Sequence, residues 1–168
     1  ASPVKEAALR KGVPVSQPTD LIEKSFLKEL QAFDADLFVV IAYGRFLPTE
    51  VLSMPRTFAI NVHSSLLPQY RGAAPINWAI INGERETGIS IMRVTVKMDA
   101  GDILAQKKLK ILKADTAVSV RTRMKETGPK LLLKTIDSIE KGTYTFTVQA
   151  DQKASLAPNL TKALGQIQ

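Results

Sequence analysis

Leu37-Phe38-Val39-Val40-Ile41-Ala42 is a continuous, uncharged apolar run. It is too short for a helix with one buried stripe and suits a strand covered on both faces, as in a parallel sheet. Thr57-Phe58-Ala59-Ile60-Asn61-Val62 is a second such run, ending in polar groups. On the N-terminal side, Ser2-Pro3 reads as the cap and first position of a helix to about Arg10, stopped by Gly12. Asp20 and Glu23 fit a capping box for a second helix, with Ile22, Phe26, Leu27, Leu30 and Phe33 as its apolar stripe. Downstream, Pro75 opens a short helix to Ile81, stopped by Asn82-Gly83. Ile89 to Val96 and Ile103 to Leu112 are strands flanking Asp99-Ala100-Gly101-Asp102. A helical region spans Asp115 to about Lys141, with an interruption expected at Gly128-Pro129. The alternation predicts an α/β chain: a Rossmann-like, open, mostly parallel sheet with helices on both faces. Ligands of such sheets sit beyond the carboxyl ends of the strands.

At 168 residues the chain is sized for one domain, and 45% hydrophobic with 23% charged residues is ordinary for a globular protein. No uncharged apolar run approaches the ~20 residues of a membrane helix. The absence of cysteine excludes a disulfide framework, a thiol nucleophile and cysteine zinc sites, and one histidine excludes an imidazole metal cage. The net charge of +7 is uneven: residues 1–60 hold seven basic and seven acidic groups, so the excess lies beyond them. Between Lys107 and Lys134, nine basic residues face only Asp115 and Glu126. That suits a polyanionic partner and equally a solvated basic face.

Asn61 and His63 are two apart on an extended segment, so their side chains share one side of the strand. They arrive where the strand ends, followed by Ser64-Ser65-Leu66-Leu67-Pro68-Gln69-Tyr70-Arg71-Gly72. An amide donor beside an imidazole can bind a carbonyl oxygen and the oxyanion it becomes. A lone Asn-x-His is more often structural, and position is what raises this one. Asp99 by itself reads as a turn residue before Gly101, and Asp102 keeps that reading.

The run Asn61-Val62-His63-Ser64-Ser65-Leu66-Leu67-Pro68, continuing Gln69-Tyr70-Arg71-Gly72-Ala73-Ala74-Pro75-Ile76, resembles the signature of the formyltetrahydrofolate-dependent formyltransferases. Ala42-Tyr43-Gly44, Leu47-Pro48, Glu86-Thr87-Gly88 and Met98-Asp99-Ala100-Gly101-Asp102-Ile103-Leu104 have counterparts in the same order. Within the family the chain is most similar to the branch acting on methionyl-tRNA. The resemblance implies a catalytic trio of Asn61, His63 and Asp99. It implies folate contacts at Ser65, Leu66, Leu67 and Pro68, and pterin-pocket walls at Arg45, Phe46 and Leu47 and at Val96, Lys97 and Met98. Arg71 and Gly72 are expected at the substrate.

The implied reaction moves a formyl group from 10-formyltetrahydrofolate to the α-amine of methionine on initiator tRNA. Asn61 and His63 would stabilise the oxyanion intermediate, and Asp99 would assist proton movement. No metal is needed. The implied partners are initiator Met-tRNA and folate, with no membrane, for a monomer of the bacterial cytoplasm or of an organelle. A sugar-nucleotide N-formyltransferase shares the fold, cofactor, trio and loop. Ala73, small where sugar enzymes often carry a bulkier residue, favours the tRNA branch. A basic module that only binds RNA is the third reading. Against the family pattern, residues 1–150 are expected to be a catalytic domain lacking its first strands. Residues 151–168 are expected to be a linker towards a C-terminal domain, and the isolated chain is expected to transfer formyl groups poorly.

Overall fold

The computed structural model describes residues 2–165. Helix α1 (Pro3–Arg10) opens as expected, with Ser2 accepting a hydrogen bond from the Lys5 N–H at its N-terminus. Helix α2 (Lys24–Ala32) starts later than the capping-box reading placed it. Asp20 instead accepts from the Ile22 N–H at 3.0 Å, closing a local turn that competes with helix. Strand β1 (Leu37–Ile41), the one-turn helix α3 (Thr49–Leu52) and strand β2 (Phe58–His63) follow. Then come helix α4 (Pro75–Ile81), strands β3 (Glu86–Arg93) and β4 (Ile103–Lys110), and helix α5 (Ala117–Glu140).

The sheet is open and α/β in class, in the order β1-β2-β3-β4. Its pairings correct the mostly parallel expectation. Only β1 and β2 are parallel (Val40 opposite Asn61), whereas β2-β3 and β3-β4 are antiparallel. For β3-β4 the reason is the short connection through residues 94–102, which returns β4 beside β3 without the crossover a parallel neighbour requires. Strand β4 ends the described sheet, and exposed Lys107, Lys108 and Lys110 lie along it, a charged edge of the kind that discourages further pairing.

Phe58, Ile60 and Ile91 form one core cluster with Ile139, while Ile89 joins Ile76, Val120 and Met124. Strand alternation places Phe58, Ile60, Val62, Ile89 and Ile91 on the face covered by α4 and α5. Helices α1 and α2 bury no residue, so the main helical cover described lies on this face rather than on both. Helix α5 also runs unbroken through Pro129. Its buried positions Val120, Met124, Gly128, Thr135 and Ile139 recur at four-residue steps with one seven-residue step, two helical turns, across the proline. Packing along that whole stripe outweighs one missing backbone hydrogen bond.

The segment expected to lead away after residue 150 remains packed through Pro158. Arg71 and Leu156 form a parallel bridge, Ala157 is fully buried, and the Trp78 indole donates to the Pro158 carbonyl at 2.8 Å. Residues 166–168 of the expected linker lie outside the described residues.

Candidate active site

Strand alternation sends Asn61 and His63 to the face opposite α5, together with Ser90 and Met92 of the neighbouring strand (His63 opposite Ser90, Asn61 opposite Met92). The loop after β2 is tied down on this face. The Ser90 hydroxyl donates to the Ser65 carbonyl at 2.7 Å and accepts from the Leu67 N–H at 3.0 Å. Gln106 donates to the Leu67 carbonyl and to the Ser90 hydroxyl at 2.9 and 2.7 Å. Leu66 lies over Gly88, where an added Cβ would come within 2.4 Å of its Cδ2 and 2.3 Å of the Lys107 carbonyl oxygen. The close approach therefore requires glycine at 88.

His63 is 6% exposed. Its Nε2 lies 2.9 Å from the Tyr70 carbonyl oxygen. A carbonyl only accepts, so Nε2 carries a proton and donates it into this bond. Nδ1 is left facing Asp99, with Oδ2 at 3.5 Å. The same Oδ2 accepts from the Gly72 N–H at 2.9 Å. Asp99 adopts a φ of 48°, a left-handed conformation that aspartate tolerates better than most residues and that here aims its carboxylate at the histidine. Gly72 has a φ of 121°, and an added Cβ would stand 2.8 Å from the Ala157 carbonyl oxygen. Asn61 is half-buried, and among the described residues no hydrogen bond engages its side-chain amide. The structure thus brings His63 and Asp99 into contact and places Asn61 on their side of β2, with amide donors available.

The remaining expected residues divide. Ser65 and Leu67 are buried, with the Ser65 hydroxyl donating to the Gln69 carbonyl at 2.6 Å, whereas Leu66 and Pro68 are half-buried. Phe46, Val96 and Met98 expose apolar side chains, and Leu47 is half-buried. Arg45 donates to the Thr19 carbonyl at 3.2 Å, and Lys97 pairs with Asp151 at 3.1 Å. Arg71, expected at the substrate, is turned into the protein. It is 6% exposed, and its guanidinium donates to Gln149 Oε1 at 3.1 and 2.8 Å and to Asp151 Oδ1 at 2.8 Å. A buried guanidinium needs such acceptors, and these two hold it inward. Gly72 likewise gives its N–H to Asp99.

Two elements of the site had no local signal. The Tyr70 carbonyl that orients His63 is a backbone group. Tyr70 is itself held by its hydroxyl, which donates to Glu84 at 2.6 Å and accepts from Asn82 at 3.1 Å. Burial, followed by the Glu84 hydrogen bond, raises that phenol above its usual value. Gln149 stands 78 positions from the arginine it binds and 50 from Asp99, so no short pattern reveals it. Asp151 is lowered from its ordinary value because Arg71 hydrogen-bonds it, with Lys97 adding to the effect.

The family model described as "Formyl transferase" matches residues 1–136. A methionyl-tRNA formyltransferase of Caldanaerobacter subterraneus subsp. tengcongensis is 45% identical over 167 residues, covering 99% of this chain and 54% of its own length. The chain spans about half the length of the curated relatives it matches. Among solved structures, glycinamide ribonucleotide transformylase 1 from Symbiobacterium toebii superposes with a TM-score of 0.75 at 24% identity, covering 86% of this chain and 74% of that one. HypX from Aquifex aeolicus in complex with tetrahydrofolic acid gives a TM-score of 0.74 at 22% identity, covering 84% of this chain and 24% of that one. At these identities the structural likeness bears on the fold. With a family model spanning most of its length, the chain belongs to the formyl transferase family.

Proposed function

We propose that this chain carries the catalytic centre of an enzyme that transfers a formyl group from 10-formyltetrahydrofolate to the α-amine of methionine on initiator tRNA. The observation that carries this reading is the meeting of His63 and Asp99, with the free Asn61 amide on the same side of β2. The 45% identity to a methionyl-tRNA formyltransferase supports the choice of acceptor. The residues present fit a folate donor. The exposed apolar side chains of Phe46, Val96 and Met98 suit a flat ring, and the amide and imidazole suit a formyl oxygen. When bound, the donor supplies an electrophilic formyl carbon.

The chain's own groups then divide the work. Asn61 donates a hydrogen bond to the oxygen that gains charge as the amine attacks. His63 turns its Nδ1 edge to the site, because Tyr70 holds Nε2. With a second proton on Nδ1 the ring is a cation facing Asp99, and it can add a charge-assisted bond to the same oxygen. Asp99, held by Gly72, stabilises the charged ring while ionised and then takes a proton from the attacking amine, which it can hand to the donor nitrogen as the bond from that nitrogen to the formyl carbon breaks. Exposed Lys107, Lys108, Lys110, Arg121, Lys125, Lys130 and Lys134 give β4 and α5 the positive charge that suits a nucleic-acid partner.

The test is formylation of methionyl-tRNA by the full-length protein that carries these residues, with 10-formyltetrahydrofolate as donor. Formylmethionyl-tRNA should form, and Asn61→Ala should slow it by about 100-fold or more. Preferred transfer to an amino-sugar nucleotide would replace the acceptor. RNA binding without any transfer would overturn the enzyme reading.

A further inference from the structure

The Gln149 side chain is 7% exposed, and its amide is engaged at both ends. Nε2 donates to the Asp99 carbonyl at 3.0 Å and the Gly101 carbonyl at 2.6 Å. Oε1 accepts twice from Arg71, at 3.1 and 2.8 Å. One side chain therefore joins two loops that approach the histidine from different strands. The loop after β2 brings Tyr70, whose carbonyl holds His63 Nε2, and Gly72, whose N–H holds Asp99 Oδ2. The loop before β4 brings Asp99 itself.

We propose that Gln149 is a positioning residue for the formyl-transfer centre, one amide setting the separation of His63 and Asp99 by locking loop 70–72 to loop 99–101. The inference rests on the function proposed above for that centre. Two features favour this role over general packing. The backbone of Asp99 lies in a sparsely populated left-handed region, which persists only where its surroundings over-determine it, and Gln149 binds its carbonyl directly. The amide also offers the two chemistries the gap needs, donors toward two carbonyls and an acceptor toward a guanidinium. Glutamate fits the second need and violates the first. Its carboxylate would strengthen the Arg71 contact and set an oxygen against two carbonyl oxygens.

Gln149→Glu and Gln149→Met are the informative variants. Both should lower kcat by about tenfold to a hundredfold, the scale of a small misplacement of reacting groups, with KM for donor and acceptor within about twofold. His63 is the only histidine of the chain, so its imidazole nitrogen resonances can be followed without turnover. They should shift in both variants, Nδ1 more than Nε2. In the unsubstituted protein the side-chain amide protons of Gln149 should exchange far more slowly than those of a solvated glutamine, a readout that requires no variant to fold. Unchanged kcat with unchanged imidazole resonances in folded Gln149→Glu would overturn the proposal. So would a loss carried by KM alone, or solvent-rate exchange of the Gln149 amide. If the unsubstituted polypeptide forms no formylmethionyl-tRNA while the imidazole still responds to Gln149→Glu, the assigned reaction fails and the positioning stands.

Discussion

The Tyr70 carbonyl takes the Nε2 proton of His63 at 2.9 Å, and this contact decides which edge of the ring can work. Tyr70 has a φ of 61°, so its carbonyl direction depends on a left-handed backbone held by the Glu84 and Asn82 contacts of its own hydroxyl. The active edge of the imidazole is thus set by a residue whose side chain points elsewhere.

Neutral His63 should therefore exist as the Nε2–H tautomer. Long-range proton–nitrogen correlation spectra should show a protonated Nε2 and an unprotonated Nδ1. The opposite tautomer would contradict the arrangement.

Gly72→Ala should destabilise the fold by about 1–3 kcal/mol, because a side chain there is strained at positive φ. Its Cβ would also press on the Ala157 carbonyl, displacing the N–H that holds Asp99. A lowered urea midpoint, with formyl transfer reduced in the fraction still folded, is the expected outcome.

Ser90→Ala removes a hydroxyl that serves three groups: the Ser65 carbonyl, the Leu67 N–H and the Gln106 amide. Leaving such buried groups unpaired costs about 1–3 kcal/mol. The denaturation midpoint should fall accordingly. A midpoint equal to that of the unsubstituted protein would show that the loop does not depend on this hydroxyl.

Acid should weaken the fold through Asp151 and Asp115. Arg71 and then Lys97 lower Asp151, while the Leu112 N–H, the Ser119 hydroxyl and the Arg123 charge lower Asp115. The folded protein then binds fewer protons than the unfolded chain, so this stabilisation is present above about pH 4 and is lost as pH falls through the lowered values. Thermal midpoints measured downward from about pH 7 should drop more steeply for the unsubstituted protein than for Asp115→Asn or Asp151→Asn.

Much of the site is legible in the residues around the end of β2. A buried apolar run closing on Asn61 and His63 carries its own period, and period two alone places both side chains on one face. The Pro75 helix start, the Gly12 stop and the four strands are read from local signals of the same kind. Pairing sense is different. Whether β3 returns antiparallel depends on partners chosen across the sheet, and apolar runs do not encode that direction. Helix α5 shows the same limit. Gly128-Pro129 is a local break signal, and packing against Ile89 and its neighbours overrides it.

The sequence by itself determined an α/β chain without thiol chemistry, a single imidazole beside an amide at a strand end, and a basic second part. Composition and short-range periodicity suffice for these, because each depends on neighbours a few residues apart. Only the tertiary structure decided that Arg71 faces inward, that Tyr70 orients His63 through its backbone, and that Gln149 joins the two loops around Asp99. The Gln149 contacts span 78 and 50 positions, and the nearer Tyr70 contact depends on a backbone direction that the folded loop sets. They form because buried polar groups must find partners wherever folding brings them.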